Sequence, residues 1–331
     1  MFVVQSLPVA IIFCIVTMLG WGSWANTQKL AGKDRWPFEL YYWDYAIGVM
    51  FLGTVFAFTL GSFGVAGTDS ISNLQQASAG SIFQALLSGL LFNVSNILLV
   101  VAIDAAGMSV AFPVGVGLAL VIGTVGSYLQ SPKGNPALLF AGVTLIVVAM
   151  IMSALAYRRL PRKEGRSGAR GLMFAVVAGC LMGLFYPQLT KAISPGFRTG
   201  ALQAGYLSPY AALLVFGIGL LVSNVVVNTL FMKVGGWTYS NYVRGSLRLH
   251  SLGFLGGIIW MLALSLNIIA SGVAGPAISY ALGQGATLVA AIWGVFIWRE
   301  FRDAPRGTMP LVSMMFLGYT AGLVLVGMAI L

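Results

Sequence analysis

Ten apolar stretches, joined mostly by short polar loops, run along the chain near residues 6–26, 41–62, 80–103, 107–128, 136–157, 171–191, 206–231, 251–272, 275–298 and 309–331. A helix needs roughly 20 apolar residues to cross about 30 Å of hydrocarbon, so each stretch is long enough to span. Inside lipid every backbone N–H and C=O must be paired within the protein, which leaves only helices or a closed barrel. The strict apolar–polar alternation of a barrel strand is absent. The pattern therefore predicts an all-α polytopic membrane protein of ten transmembrane helices. Composition agrees: 8% of residues are charged and mean hydropathy is +0.92, outside the range of soluble domains.

Charge changes the picture only after it is placed. The net charge of +10 alone would suggest nucleic acid. The odd-numbered loops, however, hold Lys29, Lys33, Arg35, Arg158, Arg159, Arg162, Lys163, Arg166, Arg170, Lys233, Arg244, Arg248, Arg299, Arg302 and Arg306, which is 15 of the 18 basic residues. Lys133, Lys191 and Arg198 are left for the other side. Cytoplasmic loops carry such an excess, so both termini are expected outside the cytoplasm of a plasma (inner) membrane, with lipid and not nucleic acid as the partner. Residues 1–5 lack Lys and Arg and no small-residue cleavage site follows the first apolar run, so that span is expected to be retained. Cys14 and Cys180 each fall inside a span and read as packing residues.

The basic loop 158–170 divides the chain into two expected five-helix repeats, 1–157 and 171–331. Gly107, Gly115 and Gly117 of the first half recur as Gly275, Gly283 and Gly285, each 168 residues on. Two copies of an odd number of spans must insert with opposite orientation. Inverted repeats of that kind mark alternating-access transporters, which hold their solute near the midplane.

Polar side chains inside spans usually face a cavity or another helix. Asn93 with Asn96, Asn224 with Asn228, Trp260 with Asn267, and Tyr280 with Gln284 are spaced to share helix faces. Amides offer both donors and acceptors, which suits a neutral polyhydroxy or amide-rich solute. The same groups also serve as interhelical hydrogen bonds worth about 0.6 kcal/mol each. Trp24 and Asn26, near Gln28, form a mixed aromatic and amide surface suited to a sugar ring, while Trp36 and Tyr41 read as interfacial belt residues. Asp44 serves either as an acid at a helix N-terminus or as a reversible proton carrier, and Asp104 as an interfacial residue. His250 is the only histidine, and no nucleotide-binding loop or nucleophile elbow is present. No catalytic residue, metal or cofactor is expected, and the chain does not read as an enzyme.

Several motifs carry a family resemblance: Gly22-Ser23-Trp24-Ala25-Asn26, Phe38-Glu39-Leu40-Tyr41-Tyr42-Trp43-Asp44-Tyr45, Leu207-Ser208-Pro209-Tyr210, Ser223-Asn224 and Gly256-Gly257-x-x-Trp260. The strongest is Ala277-Ile278-Ser279-Tyr280-Ala281-Leu282-Gly283-Gln284, followed by Trp293-Gly294 and Trp298-Arg299-Glu300-Phe301. Over nearly its whole length the chain resembles the drug/metabolite transporter superfamily, on the branch of glucose/ribose porters, rhamnose–proton symporters and plant ureide permeases. That resemblance implies ten helices in two inverted repeats and movement of a small polar solute, often with protons. Asp44 matches an acidic residue of this branch at the start of span two. Ureide permeases carry a long central loop with a nucleotide-binding-like motif, which the short loop here lacks.

The sequence reading is therefore a secondary active transporter for a neutral polar solute, first a sugar, driven by protons through Asp44. The alternative is a permease for ureides such as allantoin or another nitrogenous metabolite. A third class, a scaffold or sensor that transports nothing, predicts that substituting Asn224 or Gln284 leaves ligand binding unchanged. The expected solute contacts are Trp24, Asn26, Asn93, Asn96, Asn224, Asn228, Trp260, Asn267, Tyr280 and Gln284.

Overall fold

The computed structural model describes residues 1–64, 66–160 and 168–330. Of the basic loop, Arg162, Lys163 and Arg166 lie outside the described residues. In chain order the helices are α1 (Leu7–Ser23), α2 (Ala25–Lys33), α3 (Phe38–Phe58), α4 (Ser70–Gln76), α5 (Ala79–Ala106), α6 (Met108–Gln130) and α7 (Pro136–Arg158). They continue with α8 (Gly168–Ala192), α9 (Pro209–Val234), α10 (Tyr239–Val243), α11 (Leu247–Ala274), α12 (Pro276–Gly283), α13 (Ala286–Ile292) and α14 (Thr308–Met328). A π-helical turn, Trp293–Ile297, continues α13.

Among the described residues ten helical segments are long and apolar enough to cross a membrane, and each overlaps one of the ten apolar stretches. The protein is an integral membrane protein. Local chemistry sets the helix starts. Asn135 accepts hydrogen bonds from the backbone N–H groups of Ala137 and Leu138 ahead of α7, and Ser208 accepts one from Ala211 ahead of α9. Each of these caps is followed by proline at the first helical position, where a missing N–H is harmless. Asp69 caps α4 in the same way, and hydrogen bonds from Ser72 hold its carboxyl below the usual range.

The chain forms two compact units, Met1–Asn93 with Gln188–Val273, and Val94–Pro187 with Ala274–Leu331. Each draws on both halves of the sequence. In the first unit α3 packs against α9 and α11 at backbone distance. A Cβ on Gly257 would lie 2.0 Å from the Tyr45 carbonyl oxygen and 2.8 Å from the Val49 nitrogen, and one on Gly48 would lie 2.2 Å from the Phe254 oxygen. Backbone atoms cannot yield as a flexible side chain can, so these contacts require the missing side chain. The Thr17 hydroxyl ties α1 to α11 through the Ala263 carbonyl at 2.9 Å.

In the second unit α7 and α14 meet at Gly142 and Gly322, where a Cβ on either would come within 2.6 or 2.8 Å of the other's carbonyl oxygen. Gly107 and Gly275, which precede α6 and α12, adopt nearly the same left-handed backbone, with φ/ψ of 85/158° and 88/148°. Glycine takes that conformation without the Cβ penalty. Tyr157 donates to Glu300 at 2.5 Å, and the Glu300 N–H reaches the Gly294 carbonyl at 3.0 Å. The Trp293-to-Phe301 motif therefore closes the end of its helix.

Overpacking a filled contact costs about 1–3 kcal/mol. Gly257→Ala is expected to lower the melting temperature of the detergent-purified protein correspondingly. Gly327→Ala, which would meet nothing within 4 Å, should leave it unaltered. Equal melting curves for the two variants would refute the close contact of α3 with α11.

Candidate functional site

The first unit concentrates aromatic rings around Trp260 of α11, itself only 4% exposed. Its ring stacks on Phe92 of α5 at 4.0 Å and on Phe216 of α9 at 5.8 Å, with Trp21 at 6.1 Å and Tyr45 of α3 at 6.4 Å. Trp24 lies 5.0 Å from Tyr45, which stacks on Tyr42 at 5.1 Å. Residues adjacent in sequence to these rings supply polar groups. Asn93 follows Phe92 and donates through Nδ2 to the Ser223 hydroxyl at 3.0 Å. Asn224 follows Ser223 and is fully buried.

Hydrogen bonding at these groups is incomplete. Neither Oδ1 nor Nδ2 of Asn224 has a partner, and the Asn93 Oδ1 and Tyr45 hydroxyl, also buried, lack one too. A buried polar group left unsatisfied costs about 1–3 kcal/mol, so such a set needs a role beyond packing. Asn228 is different: its Nδ2 binds the Glu39 carbonyl at 2.9 Å and holds α9 to the start of α3, although its Oδ1 has no partner.

Asp44 marks a second cluster in the same unit. Helix α3 begins at Phe38, with Glu39 in its first turn, so Asp44 sits too far in to cap the helix. Its Oδ2 lies 2.9 Å from His250 Nδ1, and its Oδ1 accepts from the Tyr242 hydroxyl at 2.7 Å. The His250 ring meets Trp36 edge-on at 5.6 Å and Tyr242 at 4.9 Å. Burial, then the hydrogen bond to Asp44, raises the Tyr242 hydroxyl pKa well above its ordinary value.

The remaining expected residues are placed less uniformly. Asn267 is fully buried in α11, seven residues beyond Trp260. Trp24 is half-buried, and Asn26 donates to the nearby Ser23 carbonyl at 2.9 Å. Asn96, Tyr280 and Gln284 belong to the second unit. There the Tyr280 hydroxyl donates to the Ala119 carbonyl at 3.2 Å, and its ring packs 4.6 Å from Tyr186 over Gly123. Gln284 caps α12 half-buried, and Asn96 is buried on α5. Asp104 is exposed, in keeping with an interfacial acid.

Tyr41 is fully buried, with its hydroxyl 2.7 Å from that of Thr27, so packing rather than an interfacial belt explains it. Sequence reasoning did not single out Tyr45, Ser223, Tyr242 and His250 as site residues. Tyr45 could have been found from its i, i+4 spacing with Tyr41. Nothing local links His250 to Asp44, which lies 206 residues earlier.

Among the described residues, ten helices long and apolar enough to span, with amides and aromatics buried among them, place this chain among polytopic integral membrane proteins. The chain belongs to the ureide permease family, whose model matches residues 41–160 and 155–329. It is 22% identical to ureide permease 1 of Arabidopsis thaliana, with 96% of each chain covered, and 24% identical to ureide permease 2 of the same plant, with 98% of each covered. It is 23% identical to a probable ureide permease A3 of Vigna unguiculata, over 92% of this chain and 99% of the relative. A solved crystal structure covering 96% of both chains has a TM-score of 0.58 at 16% identity, a likeness of fold alone.

This family overturns the sugar expectation. The repeat, the amide faces with the Trp24 and Asn26 surface, and the family motifs carried that expectation, and the short central loop weighed against a ureide. Yet the two matched segments overlap at 155–160, where α7 ends, and the spans on both sides match. Loop length outside the spans therefore does not separate this chain from ureide permeases.

Because the Asn224 amide binds nothing in the folded protein, Asn224→Leu is expected to keep the melting temperature of the empty protein or raise it, by about 1 kcal/mol of stability. A clear loss of stability would instead make Asn224 part of the packing.

Proposed function

We propose that this protein is a secondary permease for a ureide-class solute, a small neutral molecule built on NH–CO–NH groups. The observation that carries the proposal is Asn224, fully buried with both amide atoms unpartnered, on the same unit as the unpartnered Tyr45 hydroxyl and Asn93 oxygen. A ureide presents N–H donors beside carbonyl acceptors. The Asn224 oxygen and Asn93 Oδ1 accept from its N–H groups, while Asn224 Nδ2 and the Tyr45 hydroxyl donate to its carbonyl. Trp260 and Trp24 offer flat faces to a planar ring. The family membership supports this solute class, and the named relatives carry it in their names.

In this reading the solute moves by alternating access between two inverted five-helix repeats of the drug/metabolite transporter type. The matching glycine conformations before α6 and α12 support the repeat. Within the first unit Asn26, Asn228 and Asn267 frame the contacts. The protein lies in the plasma (inner) membrane with both termini outside the cytoplasm. The Arg248–Asp34 ion pair, 3.1 Å, supports a shared side for the first and seventh loops. A proton drives uptake and is carried at Asp44.

Proteoliposomes should accumulate radiolabelled allantoin under an inward proton gradient. Asn224→Ala should reduce that uptake at least about tenfold, the equivalent of about 1.4 kcal/mol of lost solute interaction. Uptake of hexoses with silence for allantoin and related ureides would sink the proposal.

A further inference from the structure

We infer that Asp44, His250 and Tyr242 form a proton-controlled latch that ties α10 and α11 to α3, with His250 exchanging the coupling proton with Asp44. This rests on the proton-coupled reading above and adds the partner, the path and the moving part. Three elements converge on one carboxylate. Helix α11 supplies the His250 Nδ1 at 2.9 Å from Oδ2, and α10 supplies the Tyr242 hydroxyl at 2.7 Å from Oδ1. The imidazole side chain is 25% exposed and the Asp44 side chain 8%, so the histidine stands between the acid and water.

The ring is held from all sides. Trp36 and Tyr242 meet it edge-on, and a Cβ on Gly245 would lie 2.6 Å from His250 Nε2. A Cβ on Gly253 would lie 2.6 Å from the Asp44 Cβ, so α11 reaches the acid only because that residue is glycine. The titratable groups facing Asp44 are His250, Tyr242 and, from its own helix, Tyr41, whose hydroxyl is engaged by Thr27. Those facing His250 are Asp44 and Tyr242. Arg248, two residues before it, pairs with Asp34 in an exposed contact.

Proton bookkeeping gives the latch two positions. One proton shared between Nδ1 and Oδ2 makes a strong contact, whether as imidazolium with carboxylate or as imidazole with carboxylic acid. One proton fewer leaves a neutral imidazole beside the carboxylate, and the ionic part of the contact is gone. Acidification therefore tightens α10 and the start of α11 against α3, and loss of that proton loosens them. The titration belongs to the pair and not to either residue alone.

The test combines two readouts. Hydrogen exchange over residues 239–250, corrected for intrinsic rates, is expected to fall about tenfold between about pH 7.5 and about pH 5.5 in the wild-type protein. His250→Gln, which keeps a hydrogen-bonding side chain but does not titrate in this range, should abolish that fall and flatten the pH profile of allantoin uptake. Tyr242→Phe should raise exchange at every pH and preserve the response to pH. Wild-type exchange independent of pH, or a His250→Gln profile matching wild type, overturns the latch. A pH-dependent latch in a protein that moves no ureide overturns the solute assignment and leaves the latch standing.

Discussion

The backbone-to-backbone contact of α3 with α11 and α9 is the constraint on which the first unit depends. In hydrocarbon, helices gain little by hiding apolar side chains from lipid tails, so association relies on close packing and interhelical bonds. Gly48 and Gly257 permit such packing by presenting bare backbone to Phe254 and Tyr45. The approach carries consequences along α3. It sets Tyr45 against Trp260 and Trp24, and one residue earlier it brings Asp44 under Gly253 and within reach of His250. The Tyr45 ring contacts and the Asp44–His250 contact are thus neighbours on one helix because one helix contact fixes both.

The buried amides differ in kind, and that difference separates architecture from function. The Asn228 Nδ2 is spent on a backbone carbonyl of α3, and Tyr280 on one of α6. Such bonds hold helices together. Asn224 instead keeps both ends of its amide unengaged in a region without exposure. A low-dielectric interior penalises that arrangement.

Most of the architecture was legible in the sequence because lipid imposes a single rule, about twenty apolar residues per span, that leaves a direct trace. All ten spans follow it, including the start of α9 at Ser208-Pro209, where a cap and a proline punctuate the chain. The site was only partly legible. Spacing identified Asn93, Asn224 and Trp260 as inward-facing, but periodicity cannot tell a satisfied amide from an unsatisfied one, and so Asn224 and Asn228 looked alike. His250 was invisible as a partner, since long-range pairing leaves no local pattern. The solute was misjudged because aromatic and amide surfaces suit a sugar ring and a ureide alike, and the short loop was read as a departure from ureide permeases.

The glycine contacts also bear on how such a protein can change over generations. Because backbone atoms carry the α3–α11 junction, the side chains of the aromatic and amide surface are not what holds the junction together. Trp24, Asn93 or Asn224 can be exchanged without unseating the helices, whereas Gly257 cannot. The junction is therefore a fixed frame of backbone contacts, and the side chains around it are its replaceable fittings.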